Sequence, residues 1–243
     1  LWFMTSLLVQ GQQIGNYVSN GSFEKIDNIL PAGNSNCAAY WQPIDSLKYC
    51  YRLWSTSPSF PSPPAPNIST GFQYPRSGSN LILSEFYCNA PTCVPYLSRG
   101  YPRNRLKQVL KPNVKYCAKY HVVNTNNSVL GIDSYGAYFG DTTLDTITQC
   151  TLPLVYLTPQ IESQAGIVIT DTLNWVAITG TFVASGIEKY MVLGNFKSNA
   201  ATNTLVINPT FFPTLAHDLY IDDVSLIEID LPAYAGPDKP CIP

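Results

Sequence analysis

The chain has 243 residues, of which 12% are charged, and a formal net charge of -2 at neutral pH. So few charges exclude the basic footprint of a nucleic-acid binder or of a protein held on an anionic membrane. The length suits one large all-β domain or two small ones, and the wealth of Tyr, Asn, Ser, Thr and Pro favours strands and long polar loops over helices.

In chain order, "LWFMTSLLV" (1–9) is apolar and uncharged and runs into the polar "QGQQ". That is the pattern of a residual signal peptide over 1–11, with the mature chain starting near Gln12; an apolar first strand is the other reading. No other apolar run approaches a transmembrane length. "NYVSNGSFEK" (16–25) predicts a first strand that breaks at Asn20-Gly21 and resumes through Phe23 to Glu24.

Short alternating segments follow: "KYCYRLW" (48–54), "NLILSEF" (80–86), "RLKQVL" (105–110), "KYCAKYHVV" (115–123) and "SYGAYFG" (134–140). After them come "PLVYL" (153–157), "WVAITGTFVA" (175–184), "EKYMVLGNF" (188–196), "NTLVI" (203–207) and the closing "DLYIDDVSLIEI" (218–229). Such strands, with many Gly, Pro and Asn turns and no helical period, predict an all-β antiparallel sandwich of jelly-roll type. Parity puts Tyr116, Ala118, Tyr120 and Val122 on one face and Lys115, Cys117, Lys119 and His121 on the other. The Pro- and Ser-rich stretch 55–80 is too long for an ordinary connection and is expected to be functional or a surface loop.

Seven cysteines, none in Cys-x-x-Cys spacing, suit disulfides in an exported protein. Cys88 and Cys93 bracket the turn-like "NAPT" and form the most credible bridge. Other pairings, for instance Cys37 with Cys50 and Cys117 with Cys150, stay open among several connectivities, and Cys241 is the odd one.

No sequence motif specifies an enzyme. The two histidines, His121 and His217, stand in no metal pattern, and there is no nucleophile elbow, phosphate loop or dinucleotide fingerprint. A glycosidase needs two carboxylates flanking the bond, and Glu85, Asp133, Asp141, Asp145, Glu162 and Glu188 are scattered without an evident pair.

Several segments carry a family resemblance: "SNGSFE" (19–24), "YPRSGSN" (74–80), "YCAKYHV" (116–122), "YGAYF" (135–139), "PQIESQAG", "NWVAITGTFVASGIEKYMVLGNF" (174–196) and "YIDDVSL" (220–226). In that order they resemble the galactose-binding-like jelly-roll domain of exported, multidomain Bacteroidetes surface proteins. "NGSFE" with "YIDDVSL" is also the outline of carbohydrate-binding-module jelly rolls. The resemblance covers about 16–229, within a domain of 12–230. The tail, 231–243, resembles a linker and the opening of a following domain, often ahead of a type IX secretion signal.

The resemblance implies a secreted or cell-surface, non-catalytic binding module, with carbohydrate or a surface glycan the expected ligand. The further domains of the same polypeptide would be its other partners. A structural or adhesive spacer is the alternative, and a glycan-cleaving enzyme a further one. The insertion at 55–73 and the extra cysteines depart from the pattern, so ligand specificity does not carry over. Trp175 is expected to belong to the sheet scaffold.

Aromatics expected at loop edges are Tyr40, Trp41, Trp54, Tyr74, Tyr96, Tyr101 and Tyr135. A sugar ring stacks its apolar C–H face on an aromatic plane, and planar donors read its hydroxyls. Trp41, Trp54, Tyr74 and Arg76 are therefore the predicted carbohydrate platform, with Arg76 alternatively capping a strand or pairing with Glu85.

Strand parity gives Asp222 the phase of Val224 and Leu226, which would bury its carboxylate and demand compensation. Glu24, in the neighbouring first strand, Asp222, and oxygens at the Asn20-Gly21 break would suit a structural Ca2+ ion. Such an ion is common in jelly rolls of this resemblance; a hydrogen-bonded pair is the other reading.

Overall fold

The computed structural model describes residues 15–27, 37–43, 51–56, 67–68, 71–88, 99–141, 153–211 and 216–229. The expected signal remnant and tail, Asp145, Tyr96 and the cysteines at 50, 93, 150 and 241 lie outside the described residues. Sixteen strands occur among the described residues. The first eight are β1 (Ile26–Asp27), β2 (Cys37–Ala38), β3 (Trp41–Pro43), β4 (Tyr51–Ser55), β5 (Asn67–Ile68), β6 (Gly71–Phe72), β7 (Asn80–Cys88) and β8 (Pro102–Arg105). The second eight are β9 (Lys115–Asn124), β10 (Leu130–Ile132), β11 (Gly136–Gly140), β12 (Ile161–Glu162), β13 (Val176–Val183), β14 (Tyr190–Gly194), β15 (Thr204–Val206) and β16 (Ala216–Glu228).

They build two five-stranded antiparallel sheets, a front one in the order β13-β9-β16-β7-β4 and a back one in the order β12-β11-β14-β8-β3. Period-2 alternation explains why the sheets stack: each strand turns one apolar row inward. Ile82, Tyr120, Val122 and Ile221 of the front sheet meet Trp41, Ala137, Phe139, Met191 and Leu193 of the back sheet in one buried core. The expected all-β sandwich of jelly-roll type is the observed fold. No helix among the described residues is long and apolar enough to cross a membrane.

Three expected strands differ. Residues 17–22 form bends and turns, because Asn20 and Phe23 take φ of 52° and 60°, a left-handed conformation that ends strand pairing. The segment still runs beside the last strand: the Tyr17 N–H donates to the Leu226 carbonyl at 2.8 Å and the Val224 N–H to Gly21 at 2.9 Å. "PLVYL" is a turn, closed by the Leu157 N–H on the Leu154 carbonyl. "RLKQVL" leaves the strand after Arg105.

The phase predicted for Asp222 is also corrected. Asp222 pairs with His121 but Ser225 with Lys119, so the closing strand holds one extra residue. That residue is Asp223, at φ 50°, a β-bulge. Ile221, Val224 and Leu226 all join the inter-sheet core, and the bulge leaves Asp222 on the opposite face with Tyr220. It is nonetheless fully buried.

Candidate functional site

Two places concentrate polar and aromatic side chains. The first is the loop 74–80, which is held by the carboxylates of both chain ends. The Arg76 and Ser77 N–H groups donate to Asp222 Oδ2 at 2.8 and 3.2 Å, and the Asp223 N–H to Asp222 Oδ1 at 2.7 Å. Ser79 and Asn80 N–H donate to Glu24 Oε1 at 2.9 and 3.0 Å. The Ser77 hydroxyl donates to Asp223 Oδ1 at 2.5 Å, and the Arg76 guanidinium pairs with Asp223, not with Glu85. Gly78 sits between, at φ 61°, where a β-carbon would come within 2.4 Å of Glu24 Oε1.

Burial first and then the neighbouring Asp223 push Asp222 up to about 7. Burial, with Arg76 and Lys119 nearby, holds the cross-strand His121 down to about 4. In donor type the three carboxylates fit a hard cation. Asn20 is committed elsewhere: its amide donates to the carbonyls of Lys25 and Ala39 and accepts from the Lys25 N–H. The Asn20 carbonyl accepts from Trp41 Nε1 and the Phe23 N–H. Among the described residues no three His, Cys, Asp or Glu side chains are disposed to hold a metal by themselves. A cation here would therefore draw on Glu24, Asp222, carbonyl oxygens and water.

The predicted platform does not assemble as expected. Trp41 and Trp54 are 2% and 4% exposed, which removes both from any surface. Alternation turns Trp41 into the inter-sheet core against Phe23. Trp54 packs with Leu81, Leu83, Val123 and Tyr220, beside the scaffold residue Trp175. Tyr101 and Tyr135 are buried as well. Tyr74 is exposed and meets exposed Phe72 edge-on at 5.5 Å. That pair is anchored where the Phe72 N–H donates to Asn126 Oδ1 at 2.7 Å.

The second place escaped the sequence reading and lies on the outer face of the back sheet. Gln42 pairs with Arg103, Arg103 with Val192, and Val192 with Tyr138. One step along, Arg105 pairs with Tyr190 and Tyr190 with Gly140. Since Met191, Ala137 and Phe139 face the core, these two rows face outward. The Arg103 guanidinium lies 4.8 Å from the Tyr190 ring centre and donates to Gln42 Oε1 at 3.1 Å.

Glycines let rings lie against this face. A β-carbon on Gly140 would sit 2.5 Å from the Tyr138 ring, and one on Gly194 2.3 Å from Tyr101. Tyr138, Tyr190 and Leu157 pack against buried Tyr101, Leu154, Val192 and Phe196, and beside Leu154 the exposed Tyr156 forms a rim. The signal in the sequence was "GAYFG", where glycines stand two residues either side of an outward tyrosine.

The scattered carboxylates mostly have structural employment. Asp133 accepts from Asn203, Gly166 and Ser134, Glu162 pairs with Lys197, and Glu188 accepts from Ser185 and Gly186. Glu85 stands directly opposite Asp218, and burial, then that neighbour, push it up to about 9. Its Oε1 is buried without a hydrogen bond. Cys88 and Cys117 are each disulfide-bonded, with the expected partners Cys93 and Cys150 outside the described residues. The Cys37–Cys50 pairing falls outside them too.

No protein-family model matches the sequence, and no curated protein matches it significantly. Among solved structures it is similar to the CBM22-1 xylan-binding domain of Paenibacillus barcinonensis Xyn10C, with 9% identity over 77% of this chain and 85% of that one, TM-score 0.38. It is similar to the K1 cleaved adhesin domain of Lys-gingipain from Porphyromonas gingivalis, with 15% identity over 84% and 94%, TM-score 0.42. A third is TmCBM61 in complex with β-1,4-galactotriose, with 11% identity over 88% and 99%, TM-score 0.33. At these scores the likeness carries no argument about ligand or activity.

Proposed function

We propose that the chain is a non-catalytic binding module that takes carbohydrate on the outer face of its back sheet. The observation behind this reading is the pair of outward tyrosines, Tyr138 and Tyr190, on adjacent strands with Arg103 over the second ring. Aromatic planes stack on the C–H faces of sugar rings, and exposed Gln42, whose amide oxygen accepts from the buried Arg103, supplies a planar donor for hydroxyls. The scaffold beneath is rigid, so little ordering is lost on binding. The Phe72–Tyr74 pair is a second, loop-borne aromatic surface. Disulfides at Cys88 and Cys117 suit an oxidising compartment, and with it a secreted or cell-surface location.

The test is isothermal titration of the protein against soluble glycans. Tyr138→Ala and Tyr190→Ala should each weaken binding about tenfold, the scale of one lost stacking contact with its area. Tyr74→Ala should leave it within about twofold. Loss confined to Tyr74→Ala would move the site to the loop. Binding to no glycan would leave the spacer role.

We also propose Ca2+ at the clasp that Glu24 and Asp222 form on the loop 74–80, held by those two carboxylates. Its support is the charge count: Glu24, Asp222 and Asp223 surround one loop, and Arg76 alone forms an ion pair with them among the described residues. Binding the folded state raises Tm by mass action. A Tm that is the same in EDTA and in millimolar CaCl2 would overturn it.

A further inference from the structure

The carbohydrate face is not electrically uniform. At one end Arg105 is exposed and forms no ion pair among the described residues, two residues from Arg103 on the same face of β8. Tyr40 comes to this end of β8 through Asn104, the residue between the two arginines, whose side-chain amide donates to the Tyr40 carbonyl at 3.2 Å. Lys25 adds a third cation, its Nζ 5.9 Å from the Tyr40 ring centre. Across the sheet, Asp141 follows Gly140 in the row Arg105–Tyr190–Gly140 and Glu188 stands two residues before Tyr190; both, after burial, push the Tyr138 hydroxyl's pKa up. Glu24, next to Lys25 in sequence, is occupied with the Ser79 and Asn80 N–H groups. In a chain with 14 Lys and Arg and a net charge of -2, the exposed Lys25 and Arg105, with buried Arg103 behind them, form a local positive field.

Tyr40 has a second peculiarity. Its φ is 71°, a conformation that an aromatic residue adopts only when its surroundings enforce it. The enforcement is visible. Asn104 Nδ2 donates to the Tyr40 carbonyl at 3.2 Å and to the Ser19 carbonyl at 2.9 Å, and Asn20 Nδ2 donates to the Ala39 carbonyl at 3.0 Å. The ring these amides position is 56% exposed, so its own burial does not account for the strain. Strain kept for an exposed side chain points to a ligand.

We infer that this corner reads an anionic sugar unit. Its apolar face lies on Tyr40, its carboxylate or sulfate lies at Arg105 and Lys25, and neutral units continue over Tyr190 and Tyr138. The inference rests on the carbohydrate reading above and adds the ligand's charge.

The experiment compares polygalacturonate, its methyl-esterified form, a sulfated galactan, neutral xylan and an RNA oligonucleotide on the intact chain. Polygalacturonate or the sulfated galactan should bind about tenfold more tightly than its neutral counterpart, the scale of a charge-assisted contact. That advantage should shrink between about 20 and about 300 mM NaCl. Arg105→Gln should remove most of it. Tyr40→Gly should weaken binding about tenfold without lowering Tm, because glycine relieves the left-handed strain; a merely structural Tyr40 would lower Tm and leave binding alone. Equal affinity for acidic and esterified polymer overturns the inference and leaves the carbohydrate reading standing. Preference for RNA overturns the inference, and binding to no glycan overturns both.

Discussion

Tyr138 lies across Gly140: a β-carbon at that glycine would meet the ring at 2.5 Å and its hydroxyl at 2.7 Å. Gly194 and Tyr101 stand in the same relation at 2.3 Å, yet the two rings differ in freedom. Tyr138 is half-buried and can tilt outward. Tyr101 is fully buried, with its hydroxyl donating to the Asn195 carbonyl at 2.7 Å and accepting from the Leu154 N–H at 3.1 Å. Gly140→Ala should therefore cost less than about 1 kcal/mol of stability while weakening glycan binding, whereas Gly194→Ala should cost about 1–3 kcal/mol. Urea denaturation paired with titration calorimetry separates the two effects.

Trp54 and Tyr74, expected to act together, should part completely. Truncating buried Trp54 to Ala opens a cavity under Leu81, Leu83 and Tyr220 and should cost about 3–5 kcal/mol. Tyr74→Ala, at a 60% exposed position, should stay within about 0.5 kcal/mol. Comparable urea midpoints for the two variants would contradict the burial assigned to Trp54.

Strand parity in "KYCAKYHVV" and "WVAITGTFVA" was legible because period-2 alternation maps directly onto the two faces of one sheet. The bulge was not, since an inserted Asp223 shifts phase by one residue and leaves no mark in composition. That one residue decided the face on which Asp222 sits. Trp41 and Trp54 misled for a related reason: aromatic residues stack on sugars and also fill cores, and only the register shows which face each belongs to. Tyr138 and Tyr190 become neighbours through the β11–β14 pairing across about fifty residues of chain, a relation that no local pattern encodes.

The clasp predicts a strong effect from a small substitution. At Gly78 a methyl group would be strained by the left-handed φ and would drive Glu24 Oε1 away from the Ser79 and Asn80 N–H groups. Gly78→Ala should cost about 1–3 kcal/mol. Hydrogen exchange should show the Ser79 and Asn80 amides losing protection before those of β9.

Glu85 gives a pH signature with a definite sign. Its folded-state value is raised to about 9 from an ordinary 4.5, by burial and then by Asp218. Between those two limits the folded chain keeps a proton that the unfolded chain has released, so stability falls as pH rises across the window. Below it both states are protonated and above it both are ionised, and in neither range does Glu85 contribute a slope. Glu85→Gln preserves the shape and cannot titrate. Its Tm relative to the native chain should therefore climb steadily from about pH 5 to about pH 9. Parallel Tm curves for the two proteins across that range would mean that Glu85 ionises normally in the folded chain and that burial does not hold its proton.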